Sequence, residues 1–158
     1  MRPKIRRARR SDVADLGALV EEYWAFEHIG GFERTRIERN LHALIAAPQR
    51  GRCWIAASGG APAGYLIAVY LFSLEYGGLI AEIDEFFVRL EFRGAGTGSA
   101  LLAEFEHETR KAGIVRVQLQ LGVTNDRARG FYERHAYRIR SGYELLEKPL
   151  ADARFGRD

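Results

Sequence analysis

One cysteine, Cys53, stands in the whole chain of 158 residues. No intramolecular disulfide can form, and no zinc-type cysteine spacing exists. The run Cys53-Trp54-Ile55-Ala56-Ala57 makes this thiol a small core residue. The four histidines, His28, His42, His107 and His135, are scattered, without a His-x-x-x-His or cysteine pairing. A metal site is therefore not expected. No apolar stretch approaches the roughly 20 residues that span a membrane. The N-terminus carries charge but no apolar h-region, so no signal peptide is expected and the cytoplasm is the default. Lysine is nearly absent: Lys4, Lys111 and Lys148 are the only three, so arginine supplies almost all of the 24 cations.

What is present suits one folded domain, expected to span residues 1–158. Hydrophobic residues make up 47 %, enough for one sizeable core, and the formal net charge is only +3. Six cations crowd Arg2 to Arg10, but Ile5 and Ala8 sit among them. An edge strand explains this better than a nucleic-acid arm, and no nucleic-acid or membrane partner is expected.

The periodicity predicts strands at Lys4–Ala8, Arg52–Ala57, Gly64–Glu75, Leu79–Val88, Val115–Leu121, Tyr137–Arg140 and Tyr143–Lys148. Helices are predicted from Ser11 as N-cap to about His28, and from a capping box Thr35-x-x-Glu38 to an end just before Pro48. Two more are predicted at Thr97–Ala112 and Asp126–Arg134. The order β-α-α-β-β-β-α-β-α-β-β implies an α/β (α+β) fold, a mixed sheet of about seven strands with helices on both faces.

The richest stretch is Arg93-Gly94-Ala95-Gly96-Thr97-Gly98-Ser99, between a strand and a helix. Such a turn aims unpaired backbone N–H groups and the positive end of a helix dipole at an anion. Glycine lets the backbone approach a phosphate closely. No Gly-Lys-Ser/Thr follows, and the glycines do not run G-x-G-x-x-G, so neither the nucleotide-hydrolase loop nor the dinucleotide fingerprint applies.

Arg-Gly-x-Gly-x-Gly followed by Ser-x-Leu-Leu resembles the acetyl-CoA signature of the GCN5-related N-acetyltransferases. About 30 residues later, Asn125 to Tyr137 is similar to that family's Asn…Ala…Phe-Tyr-Glu-Lys-x-Gly-Phe motif. Leu90 replaces the family's frequent proline and Ala136 its glycine. The second change puts the turn after the helix in question. The string Ile83-Asp84-Glu85-Phe86-Phe87-Val88 resembles the diamine and polyamine N-acetyltransferase branch.

The resemblance implies transfer of the acetyl group of acetyl-CoA to a primary amine by direct attack on the thioester, without a metal. Arg93 to Ser99 would hold the CoA pyrophosphate. Backbone groups of Phe86, Phe87 and Val88 would pair with the pantetheine arm along a strand edge. Asn125 and Ala128 fall in the second motif, where Asn125 is either an anchor for the pantetheine arm or a plain N-cap.

Tyr132 would be the general acid that protonates the leaving sulfur. An alkyl ammonium must lose a proton before attack, since its pKa lies near 10. Asp84, then Glu82, are the candidate bases, with water as the alternative. Strand parity puts Glu82 and Asp84 on one face and Glu85 on the other, unless a bulge changes the count. Glu27, Tyr23 and Glu85 are candidate acceptor-site residues, with cation–π attraction from the aromatics.

The acceptor is expected to be a small amine, polyamine-like or other. A protein or peptide amine and a non-catalytic acyl-CoA-binding module remain the other readings. Family habit implies a homodimer.

Overall fold

The computed structural model describes residues 2–150. Its contacts divide the chain into two compact units, one running to Leu119 and the other starting at Gln120.

The first unit is built on a five-stranded sheet in sequential order, β1 (Lys4–Arg7), β2 (Gly51–Ser58), β3 (Ala61–Ser73), β4 (Gly78–Val88) and β5 (Val117–Leu119). The first four strands are antiparallel neighbours and β5 joins β4 in parallel. β1 is an edge strand, which accounts for its alternation of charge with Ile5. Gly59 and Gly60, both at positive φ, close the β2–β3 hairpin, the two-residue turn that matches strand twist.

Alternate residues of the strands face different helices. Cys53, Ile55, Tyr65, Ile67 and Phe87 pack against α1 (Val13–Phe26) and α2 (Arg34–Ala46) through Leu16, Leu19, Val20, Ile37 and Leu41. Residues of the other parity face α3 (Thr97–Lys111): Trp54 meets Phe105 edge to face at 5.1 Å. Both rings are fully buried, and such a pair adds about 1 kcal/mol to the burial itself. The expectation of helices on both faces of a mostly antiparallel sheet holds.

The helix starts differ from expectation. Ser11 lies in a short 3-10 turn, Arg10–Asp12, and α1 begins at Val13. The Asp12 carboxylate is the better acceptor and takes the Arg9 N–H at 2.6 Å. Likewise Glu33, not Thr35, caps α2, accepting from the N–H groups of Thr35 and Arg36. A carboxylate at a helix N-terminus gains from the dipole as well as the bonds. α1 stops at Phe26, and His28 at φ 55 reverses the chain.

The second unit contains α4 (Asp126–Arg134), as expected. The two strands expected at Tyr137–Arg140 and Tyr143–Lys148 do not form among the described residues, so the sheet has five strands rather than seven. Alternating apolar residues make a strand only where a neighbouring ladder accepts them. Here Ile139, Tyr143, Leu145 and Leu146 are all exposed.

The Arg6 guanidinium grips both Asp12 oxygens, at 2.6 and 2.7 Å, and ties β1 to the start of α1. These bonds are the main reason that the Asp12 pKa is lowered. A lowered native pKa stabilises the fold above the unfolded value, near 4, and the benefit is lost as pH falls through the native one. Asp12→Asn is therefore expected to cost about 1–2 kcal/mol at neutral pH, allowing for the half-open Arg6. Denaturant unfolding should show the gap between variant and parent closing as pH falls below about 4.

Candidate active site

β3 and β4 keep strict register except at one place. Ile67 faces Glu85, but its neighbour Ala68 faces Ile83. Asp84 is the extra residue, a bulge that reverses the side-chain alternation on its two sides. Glu82 therefore lies opposite Val69, and Glu85 opposite Ile67, both on the face that packs on α1 and α2. The parity expected for an unbroken strand is corrected: Glu82 shares its face with Glu85.

Glu85 is held by two donors. Trp24 Nε1 donates to Oε1 at 2.8 Å, and the Tyr65 hydroxyl donates to Oε2 at 2.7 Å. Tyr65 is fully buried, and burial, with Glu85 second, raises its pKa well above that of a free phenol. It stays a neutral donor. Tyr23 packs on Tyr65 and Phe87 at 6.3 and 5.9 Å between ring centroids. Glu27 is half-buried at the C-cap of α1. Gln118 Nε2 donates to Glu82 Oε2 at 2.6 Å. Asp84 is exposed, yet enough protein surrounds its carboxylate that desolvation, then the like charge of Glu82, raises its pKa.

The β4–β5 ladder ends at Ile83–Leu119. From Asp84 to Val88 no strand pairs with that edge of β4 among the described residues. Phe86 and Val88 are half-buried and Phe87 is buried, so their side chains pack into the first unit.

The glycine loop follows directly. Gly94 and Gly96 have φ of 76 and 83 and flank Ala95, which is not at positive φ. Alternating handedness of this kind makes successive N–H groups converge on an anion. Gly94, Ala95 and Gly96 are exposed, Thr97 is buried and anchors the first turn of α3, and Gly98 and Ser99 are half-buried. Gly96 is the N-cap of α3, and no side chain caps it. A glycine N-cap brings no side chain of its own to the start of the helix, where backbone N–H groups and the dipole favour an anion.

Arg93 makes contacts within the first unit. Its Nε donates to the Val88 carbonyl at 2.6 Å, and its guanidinium lies over Phe26 and Phe87 at 4.8 and 5.5 Å. It stitches the loop to β4 and to the end of α1.

Asn125, Ala128 and Tyr132 belong to the second unit. Asn125 caps α4, its Oδ1 accepting from Ala128 N–H at 3.1 Å. Tyr132 is buried and packs edge to face on Phe131 and Tyr137, at 5.4 and 5.3 Å. Ala136 holds φ 66 without being glycine, so the turn keeps the left-handed form that the glycine of the resembling motif would give.

The acetyltransferase (GNAT) family model matches residues 16–137. The chain belongs to this family. An uncharacterised N-acetyltransferase of Archaeoglobus fulgidus is 30 % identical over 131 residues, covering 82 % of this chain and 88 % of that protein. The aminoalkylphosphonate N-acetyltransferase of Salmonella typhimurium is 29 % identical over 142 residues, with coverage of 85 % and 84 %. A solved integron cassette protein from the salt-marsh metagenome superposes with a TM-score of 0.83 at 31 % identity, covering 95 % of this chain and 92 % of that one. The protein is thus an acetyl-CoA-dependent N-acetyltransferase.

Sequence reasoning missed Trp24 and Tyr65 as the holders of Glu85. The available signal was a tyrosine inside an apolar strand, whose buried hydroxyl needs a partner.

Replacing Ala136 by glycine removes the left-handed penalty on an alanine. Ala136→Gly is expected to stabilise the protein by about 1 kcal/mol, read as a rise in the midpoint of denaturant unfolding.

Proposed function

We propose that this acetyltransferase acetylates a primary amine of a small cationic molecule, such as a diamine or polyamine. The observation that carries the proposal is the β4 bulge, which sets Glu82 and Glu85 on one face with Asp84 between them. Three acids in four residues attract a multiply charged amine, and the aromatic wall of Tyr23 and Trp24 adds cation–π attraction. The family model runs from residue 16 to 137, across both compact units, and we take residues 1–158 to act as one catalytic domain.

Acetyl-CoA fits the residues present: a helix N-terminus with glycine as its N-cap and a converging glycine loop for its pyrophosphate, and, for its amide-bearing arm, a stretch of β4 that no strand pairs among the described residues. Gly94 to Ser99 would hold the anionic end, and backbone groups of Phe86 to Val88 the pantetheine. When bound, it supplies the activated acyl group. In this reading Glu85, fixed by Trp24 and Tyr65, binds and orients the ammonium. Asp84 takes the proton from the amine, desolvation and then the like charge of Glu82 raising its pKa. Tyr132 would deliver its proton to the departing thiolate sulfur, giving the free thiol.

The Salmonella relative supports a second acceptor class, an aminoalkylphosphonate. Its anionic head would have to be met by cations such as Arg89 or Arg93. An acceptor screen with acetyl-CoA separates the two: turnover of diamines and polyamines is expected. Turnover confined to aminoalkylphosphonates, or to peptide amines, would overturn the reading.

Two variants test the roles. Tyr132→Phe should keep the thermal stabilisation by acetyl-CoA while kcat falls about 100-fold or more. Activity should fall as pH drops through the raised pKa of Asp84. Asp84→Asn should lower kcat and flatten that acidic limb. Glu82→Gln removes the like charge and should move the limb to lower pH.

A further inference from the structure

β5 brings one side chain to the acids of β4. The two strands pair in parallel at Ala81 with Val117, Glu82 with Gln118 and Ile83 with Leu119, and the ladder then stops. Registered partners project from the same face of a sheet. Gln118 therefore stands beside Glu82 on the face of α1 and α2, and its Nε2 donates to Glu82 Oε2 at 2.6 Å.

This amide is the one side-chain donor to Glu82 among the described residues, and no cation pairs with it there. Both side chains are half-buried. A carboxylate at that depth gains solvation by turning outward to water, and the bond from Gln118 holds it back. The choice of residue matters. A lysine or arginine would hold Glu82 equally well but would cancel its charge, whereas a neutral amide fixes the carboxylate and leaves the charge in place.

That charge acts on Asp84, two positions along at the bulge. Desolvation, then the like charge of Glu82, raises the Asp84 pKa. The elements around β4 bring other titratable groups: Glu85 on β4 itself, Tyr65 and Tyr70 on β3, Glu108 on α3, Tyr23 on α1 and Arg116 just before β5. Of all these, Glu82 is the charge that acts on Asp84. Repulsion between like charges weakens with distance and with exposure to water, so its strength depends on where the Glu82 carboxylate is held.

We propose that Gln118 is a positioning residue for acetyl transfer: by pinning the Glu82 carboxylate next to Asp84, it sets the pH range in which Asp84 takes the proton from the amine. The inference rests on Asp84 as the base. Gln118 itself touches neither substrate nor acetyl-CoA in this scheme. It works through Glu82, so its effect vanishes when the Glu82 charge is absent.

Two readouts on the full chain test this. Carboxyl-carbon NMR follows the titration of Asp84, assigned with Asp84→Asn, and needs no acceptor. The pH profile of kcat/KM follows the reaction. Gln118→Met keeps the length of the side chain and loses the donor, so Asp84 should titrate at lower pH than in the parent. The acidic limb of kcat/KM should move in the same direction. Gln118→Asn, too short to reach, should act likewise. Added to Glu82→Gln, the Gln118→Met change should move neither readout further. An unchanged Asp84 titration in both Gln118 variants, or an equal shift with and without the Glu82 charge, would overturn the inference. A titration that moves while the acidic limb stays fixed would instead overturn Asp84 as the base, and with it the role of Gln118 in the reaction.

Discussion

Between Ile83 and Glu85, β4 carries one residue more than β3 opposite it. That single insertion sets the character of the candidate active site. Without it, Glu82 would lie on the opposite face from Glu85, the one Ile83 now occupies, where an unpaired carboxylate is costly. With it, Ile83 takes that buried place, at 6 % exposure, and Glu82 and Glu85 share the face of α1 and α2. The bulge therefore reconciles an apolar core with an acidic site on one strand.

The ladder from β4 to β5 stops at Ile83, and no strand among the described residues takes it up from Asp84 to Val88. That stretch leads straight into the glycine loop and the N-terminus of α3, where Gly96 is the N-cap. Arg93 binds these parts together, anchored to the Val88 carbonyl and resting on Phe26 and Phe87. In the proposed mechanism its service is to hold the loop in place, while the backbone meets the phosphates. Glu85 is fixed with equal care, by donors from α1 and β3, and in the proposed mechanism this spares the entropy of ordering that carboxylate.

Much of this was legible in the chain itself. Glycine alternation after an arginine, and Asn125 to Tyr137 beyond it, led to the family, and the hydrophobic periods located all four helices. The sequence pattern could not show where pairing ends. Tyr143 to Lys148 alternates as a strand should, but a strand exists only if a neighbour accepts its hydrogen bonds, and that is decided by tertiary structure. The bulge was hidden for the same reason: Ile83-Asp84-Glu85 reads as regular alternation until it is set against Ile67 and Ala68. At the helix starts, Glu33 and Asp12 outcompeted hydroxyl caps because a carboxylate offers two oxygens and a full charge.

In the proposed mechanism, Asp84 to Val88 of β4 and the loop that continues it form the acetyl-CoA site. Amide hydrogen exchange on the full chain, with and without saturating acetyl-CoA, tests that most directly. Slowed exchange is predicted for the edge-facing amides of Asp84 to Val88 and for Gly94 to Ser99. Unchanged exchange across both segments, with acetyl-CoA demonstrably bound, would contradict it.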